Sequence, residues 1–380
     1  MTGRSRVAVV VLGDLARSPR MTNHARELAR AGFDVVLIGY REREFEPPEG
    51  VRVRPLRPLR RAGERRSKLT FLCGSALRMG LLSGQLAAAL ARERWGTVLV
   101  QNPPAFPTLA ASWLAARWSR ARLVVDWHNY GYTLLALRLG AAHPIVRLAT
   151  WYEAWAGRLG DDHFCVSQAM RTDLAARFGI KARLLYDRPV ELSSAPRQQS
   201  SRLVVVCPSG WTADEDMRLL LDALEMLPPR AIEVHLTGDG PLRESLEPRI
   251  AGLRRSGMEI HTGFLAEADY RALLRRADVG LSAHRSSSGV DLAMKVVDLY
   301  GAGVPVCALD YGGSLGEQVL DGVTGCLFRT AGELAAALAG MLSDRAKLEA
   351  WREAARGQWG ETWAGAWQRV AAPVFGNNDE

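Results

Sequence analysis

Apolar residues along this chain gather into short blocks, not long spans. In the first half the blocks fall at 7–12, 33–39, 97–101 and 122–126, with a shorter one at 163–166. Most are separated by stretches whose apolar positions recur every three or four residues. Short apolar runs alternating with helical periodicity predict parallel strands joined by crossover helices. The polar stretch SSAPRQQSSR, 193–202, breaks the pattern and reads as a linker. A second series then begins: LVVVCPSG (203–210), IEVHLTGDG (232–240), MEIHTGFL (258–265), VGLSAH (279–284) and VPVCAL (304–309). The expected organisation is an N-terminal αβ domain over 1–192, the linker, a C-terminal αβ domain over 203–345, and a terminal helix over 346–380 that packs back on the domains. In that helix Trp359, Trp363 and Trp367 recur every fourth residue, which predicts one shared packing face.

A length of 380 residues agrees with two cores. Forty-nine Lys and Arg against 41 Asp and Glu leave a formal charge of +8, which favours an anionic partner. Part of the excess is local. Basic residues at 52, 54, 57, 60, 61, 65, 66 and 68 face one acid, Glu64, and an apolar segment with Leu69, Phe71, Leu72, Leu77, Met79, Leu81 and Leu82 follows. That combination fits an anionic bilayer surface; the alternative is an amphipathic helix beside a solvated basic loop. No nucleic-acid-binding module or aromatic–basic interleaving is present, so nucleic acid is not an expected partner. Cys73, Cys165, Cys207, Cys307 and Cys326 form no CxxC pair and read as free thiols in a reducing compartment, not as metal ligands. With no signal-peptide pattern and no run of about 18 apolar residues, the expectation is a cytoplasmic protein.

Doubly wound sheets bind ligands beyond the carboxyl ends of their strands. Four loops there are unusual: GDLARSPR (13–20), QNPPAFPT (101–108), DWHNYGY (126–132) and SSSGVDLAMK (286–295). In the first, Asp14 reads either as a base or as a helix cap. In the second, two prolines after Asn102 stiffen the loop. In the third, His128 stands among Asp126, Asn129, Tyr130 and Tyr132. In the fourth, Ser286, Ser287, Ser288 and Gly289 precede a helix ending near Gly301–Gly303, a start suited to a diphosphate. Asp291, Lys295 and Asp298 at i, i+4 and i+7 predict one charged stripe on that helix: a solvated ion pair or a ligand contact. Gly238 and Gly240 permit close backbone approach, and Ser209 with Gly210 opens another helix. Asp214, Glu215 and Asp216 read as first-turn carboxylates that suit the helix dipole, not as a metal cluster.

Taken together and in order, VVVLGDLARSPRM, VQNPPAFPTLA, VVDWHNYGYT, SGWTADEDMRLLLDALE, TGDGPLRE and HRSSSGVDLAMKVVDLYGAGVPVCA resemble the eukaryotic chitobiosyldiphosphodolichol beta-mannosyltransferase family over about residues 7–330. The resemblance implies an α/β GT-B fold, two Rossmann-like doubly wound domains facing across a cleft. It implies inverting transfer of mannose from GDP-mannose to a polyprenyl-diphosphate-linked acceptor sugar, forming a beta-mannosidic linkage with no metal or other cofactor. Eukaryotic members begin with a membrane-anchoring helix; this sequence starts almost at its first strand, so peripheral attachment to the cytoplasmic membrane face is expected. The Arg- and Ala-rich composition resembles a bacterial relative, which would not use dolichol. The resemblance assigns donor binding to Ser209, Gly238, Gly240, Phe264, Leu265, Ser286, Ser287, Ser288, Gly289 and Asp291, with Lys295 on diphosphate and Asp298 on ribose. It makes Asp14 the candidate base. His128 is a hydrogen-bonding partner of the donor sugar or phosphate, or the base instead. Arg17, Arg20, Asn102, Asn129 and Tyr130 fall on the acceptor side. A transferase with another nucleotide-sugar donor and a nucleotide-sugar epimerase are the competing readings.

Overall fold

A computed structural model of the chain describes residues 5–58, 80–193 and 200–376. Most of the linker and much of the basic–apolar segment (Arg60, Arg61, Arg65, Arg66, Lys68, Leu69, Phe71, Leu72, Leu77 and Met79) lie outside the described residues. The chain divides into two compact units. Unit 1 comprises Met1–Tyr186 with Ala364–Glu380; unit 2 is Asp187–Trp363.

Unit 1 is built on seven parallel strands: β1 (Arg6–Asp14), β2 (Asp34–Tyr40), β3 (Val51–Leu56), β4 (Thr97–Asn102), β5 (Arg122–Trp127), β6 (Asp162–Cys165) and β7 (Arg183–Leu184). Their order across the sheet is β3-β2-β1-β4-β5-β6-β7. Val7 pairs with Val35 on one side of β1 and with Thr97 on the other. Helices cover both faces of such a sheet, so its central strands are apolar on both sides; Val7–Val11, Val35–Ile38, Val98–Val100 and Leu123–Val125 are all buried. Parallel register brings Asp14, Asn102 and Trp127 to the same edge of the sheet, and the polar loops begin there.

Unit 2 has six parallel strands: β8 (Leu203–Pro208), β9 (Ile232–Thr237), β10 (Glu259–Gly263), β11 (Val279–Ser282), β12 (Val306–Leu309) and β13 (Gly325–Phe328), in the order β10-β9-β8-β11-β12-β13. Alternate residues of β8 feed two cores. Leu203, Val205 and Cys207 pack with Trp211, Leu220 and Leu338; Val204 and Val206 pack with Leu273, Tyr300 and Trp359.

Three strands were not expected from the apolar runs. In β3, Arg52 and Arg54 alternate with Val51 and Val53, and the pattern reads as a basic loop. The structure pairs Arg52 with Asp34 and Glu93, and Arg54 with Glu93, so these two arginines are neutralised on an edge strand. β7 and β13 span only two and four residues. The terminal helix is also different. It is broken into Arg345–Gln358, Trp363–Val370 and Ala372–Phe375. Trp359 falls in the first break and stacks on Tyr300 in unit 2, whereas Trp367 stacks on Phe375 in unit 1. The three tryptophans therefore do not form one face: Trp363 and Trp367 lie on one helix and Trp359 precedes it.

Candidate active site

In unit 1 the polar loops converge on Asp126, at the end of β5 and fully buried. Arg20 donates to both carboxylate oxygens, through Nε to Oδ2 and Nη2 to Oδ1, each at 2.8 Å. Its Nη1 also donates to the Leu185 carbonyl at 2.9 Å. Burial alone would raise the Asp126 carboxyl; Arg20 and His128 reverse this and hold it well below the ordinary carboxylate range. His128 Nε2 lies 2.9 Å from Asp126 Oδ2, and the His128 amide donates to the Asn102 carbonyl at 2.8 Å. An imidazole held this way keeps a proton on Nε2 towards the carboxylate. Behind the carboxylate, His24 Nε2 stands 3.2 Å from Oδ2 while His24 Nδ1 accepts from Trp367 Nε1 at 3.0 Å. Burial lowers the His24 pKa, so this second histidine is neutral.

This hub changes the reading of the opening loop. The helix there starts at Pro19, after a 3₁₀ turn over Leu15–Arg17. The Asp14 side chain caps neither; its Oδ1 accepts from the Glu42 amide at 3.3 Å. Asp14 makes no ion pair among the described residues. Arg17 is exposed, but Arg20 is 2% exposed and bound to Asp126. Arg20 is thus a positioning residue, not a surface cation open to an acceptor diphosphate.

A second buried carboxylate, Glu153, organises the other two loops. It accepts from Asn102 Nδ2 at 2.6 Å, from the Gly131 amide at 2.9 Å and from the Tyr132 amide at 3.0 Å. It thereby supplies acceptors to the free amides at the start of helix Gly131–Leu139. Burial raises the Glu153 carboxyl even so. Asn102 is fully buried, and Tyr130 is 1% exposed with its hydroxyl donating to Asp173 at 2.8 Å. Both shape the loops from inside. Asn129 Oδ1 accepts from the Tyr130 amide at 2.7 Å.

In unit 2 the loops after β8, β9 and β11 meet. Ser209 Oγ donates to Glu215 Oε2 at 2.6 Å, the Gly210 amide donates to the same oxygen at 2.8 Å, and Lys295 pairs with Oε1. Gly238 and Gly240 explain how the β8 and β9 loops approach. A Cβ on Gly238 would sit 1.9 Å from the Ser209 carbonyl oxygen, and one on Gly240 would sit 2.0 Å from that of Gly210. Their small size serves loop packing, and Gly238 also has φ +94°.

The SSSG segment wraps Asp291. Ser286 donates to Oδ1, Ser288 Oγ to the same oxygen at 3.2 Å, and Ser286 Oγ accepts from the Gly289 amide at 2.7 Å. Leu265 is partly buried against the core, whereas Phe264 is 70% exposed. His284 stands between Asp291, at 3.2 Å, and Asp214, at 3.6 Å. Burial disfavours its charged form, but the two carboxylates outweigh burial and raise its pKa to about 9. Asp216 caps helix Met217–Glu225 by accepting from the Leu219 amide at 3.1 Å, and it also binds Arg285 at 2.7 Å. None of the three neighbouring acids lies in the first turn, which begins at Met217; Asp216 serves instead as the N-cap.

The charged stripe is not formed. The helix begins at Met294, so Asp291 precedes it. Lys295 turns to Glu215, and Asp298 opens into a separate cavity of about 420 Å³ lined by Tyr270, Arg271 and the segment 189–193. Asp298 has an exposed surface there, yet protein crowds it on its other sides and the lost hydration raises its carboxyl to about 6. Among the described residues, Glu233, His235 and His261 bring possible metal-ligating atoms within 4.8 Å of one another on β9 and β10, where Arg276 already pairs with Glu233.

Residues 18–186 match the Glycosyl transferase 4-like domain and residues 202–344 match Glycosyl transferases group 1. A Mus musculus protein named chitobiosyldiphosphodolichol beta-mannosyltransferase is 33% identical over 440 residues, covering 99% of this chain and 90% of its own. The Homo sapiens protein of that name is 33% identical and covers 97% and 92%. An Arabidopsis thaliana protein named UDP-glycosyltransferase TURAN is 34% identical and covers 88% of each. Among solved structures, Anabaena HepE in complex with UDP-glucose superposes with a TM-score of 0.67 at 18% identity, covering 98% and 99%. The calicheamicin glycosyltransferase CalG4 does so with a TM-score of 0.58 at 15% identity over the whole of both chains. These last two likenesses bear on the fold, which is GT-B. With both units matched and a third of residues shared along nearly its whole length, the chain belongs to the chitobiosyldiphosphodolichol beta-mannosyltransferase family of hexosyltransferases.

Proposed function

We propose that this protein transfers mannose from GDP-mannose, with inversion, to the sugar of a polyprenyl-diphosphate-linked acceptor. The observation that carries the reading is the extent of the likeness: 33% identity across 99% of the chain to a relative named for beta-mannosyl transfer to a dolichol-linked chitobiose. In this reaction the acceptor hydroxyl attacks the anomeric carbon. Its proton passes to a base, and the nucleoside diphosphate leaves with the bonding electron pair. Unit 1 supplies the base. Asp14 is the favoured group because its carboxylate makes no ion pair among the described residues; His128, oriented by Asp126, is the alternative. Unit 2 takes the nucleotide sugar. Lys295, by exchanging Glu215 for phosphate oxygens, and the Ser286–Gly289 segment offset the charge that grows on the leaving diphosphate. Ser209, Ser287 and Asp291 belong to that phosphate side, and Phe264 and Leu265 to the base. Arg17 and Asn129 serve the acceptor. The reaction needs no metal in this scheme, and it takes place on the cytoplasmic membrane face.

A uridine nucleotide donor is the second reading, favoured by the name of the Arabidopsis relative. Thermal unfolding of the purified protein without metal, with GDP, GDP-mannose, UDP-glucose and UDP-N-acetylglucosamine in turn, separates the two. Ligand binding to the folded state raises the midpoint, by about 2.7 kcal/mol of apparent stability at a hundredfold excess over Kd. A shift with the guanosine compounds alone supports the proposal. A shift with uridine compounds alone overturns it.

A further inference from the structure

The helix that holds Glu153 has a second face. Helix Pro144–Gly157 buries Val146, Glu153, Ala156 and Gly157. On the opposite side Arg147, Leu148, Trp151, Trp155 and Arg158 are all exposed, at the three- and four-residue spacing of one helical stripe. Leu148 and Trp151 are each 62% exposed, and Trp151 stacks on Trp155 at 6.1 Å. The helix buries its one acid, Glu153, and presents aromatic and aliphatic residues to solvent beside two arginines. The neighbouring helix Gly131–Leu139 packs against it and exposes Leu137 at 66%. Through Tyr152, whose ring meets Phe106 at 5.2 Å, the surface continues towards helix Thr108–Ser119, which exposes Leu114 at 60%. Ten of the 17 large exposed hydrophobic residues of the described chain fall between Phe106 and Trp155. A concentration of this kind marks an interaction surface.

Charge identifies the partner. Between residues 103 and 158 the only acids are Asp126 and Glu153, and both are buried. Over the same span Arg117, Arg120, Arg138, Arg147 and Arg158 are exposed. The surface is therefore apolar and aromatic, and the charges this span exposes are all cationic. A second copy docking through the same face would set arginines against arginines. An anionic bilayer supplies both an apolar layer for the leucines and tryptophans and a negative plane for the arginines.

We infer that the paired helices Gly131–Leu139 and Pro144–Gly157 are the membrane-docking surface of this protein, seated on anionic lipid. The inference deepens the proposed use of a lipid-linked acceptor and rests on it for its purpose. Glu153 binds the amides of Gly131 and Tyr132 from one side of the helix while Trp151 and Trp155 leave from the other. Docking thus sets the DWHNYGY loop one helix thickness from the lipid, about 10 Å.

Co-sedimentation of the full chain with phosphatidylcholine vesicles, and with vesicles containing 30% phosphatidylglycerol, tests this. Binding is expected to the anionic vesicles and to weaken with salt. The variant Leu148→Gln/Trp151→Gln/Trp155→Gln is expected to lose roughly tenfold or more of its partitioning. Tryptophan quenching by brominated lipid in the unmodified protein is the companion measurement and needs no variant. Absence of quenching, or undiminished vesicle binding by a folded triple variant, overturns the inference. So does a dimer of the unmodified protein that the triple variant splits while neither binds vesicles. The GDP-induced thermal shift in the same samples reports on the proposed function separately. A retained shift without vesicle binding sinks only the docking surface, and intact vesicle binding without the shift sinks only the donor reading.

Discussion

Asp126→Asn is the most informative single change in unit 1. The substitution keeps the shape of the side chain and removes its charge. Arg20, 2% exposed, would then hold a buried guanidinium opposite a neutral amide. Breaking a buried pair from one side costs about 3–5 kcal/mol, because the remaining charge is left desolvated. A domain of this size has roughly 5–15 kcal/mol in hand, so the variant folds but opens more often. Hydrogen exchange of the intact chain reads this locally. Peptides spanning 19–30 and 122–128 are expected to lose protection equivalent to about 3–5 kcal/mol, while those from 203–208 are unchanged. The double variant Arg20→Met/Asp126→Leu removes both charges and should be less destabilised than Asp126→Asn, by at least ~1 kcal/mol. A depressed folded pKa means that the stabilisation by Asp126 is complete above the ordinary aspartate value, near 3.9. It is lost as pH falls through the lower folded value. The unmodified protein should therefore show a loss of protection in these peptides as pH falls below about 4 that Asp126→Asn lacks. A change under ~1 kcal/mol in the 122–128 peptides, or a double variant worse than the single, would refute the account of Asp126 as a charged hub.

His284 has the opposite sign. Its folded pKa of about 9 exceeds the free value, so its contribution is full below about 6.5 and is lost as pH rises through 9. Thermal unfolding of unit 2 should weaken across that window by on the order of 2–3 kcal/mol, and His284→Gln should flatten the dependence. For catalysis, Asp14→Asn is expected to lower turnover by about 10²–10⁴-fold with donor binding intact, the range of a positioned general base. A larger loss with His128→Ala than with Asp14→Asn, at unchanged donor affinity, would move the base to the imidazole.

The valine-rich blocks made the central strands legible, because a strand buried on both faces leaves an uninterrupted apolar run. β3 was not legible. Its arginines are solved by Asp34 and Glu93, and a partner 41 residues along the chain leaves no local trace. The loops of the candidate site were recognisable as unusual, but their wiring was not. Asp126 stood in plain view beside His128, yet its chief partner Arg20 is 106 residues away. Glu153 had a signal that went unused: a lone acid between aromatic residues in the run TWYEAW. The stripe of Asp291, Lys295 and Asp298 failed for a different reason. Periodicity assumes a helix from end to end, and this helix starts three residues after Asp291, leaving Lys295 and Asp298 to face different neighbours.

The return of residues 364–376 to unit 1 has a consequence for how the protein is made. Trp367 donates to His24, and His24 lies against Asp126, so the hub receives support from a segment that follows the whole of unit 2. A ribosome delivers the seven strands of unit 1 first, then all of unit 2, and only then the helix carrying Trp367. The domain begun first is completed last. Until residues 364–376 emerge, the pocket behind His24 waits open on the nascent chain.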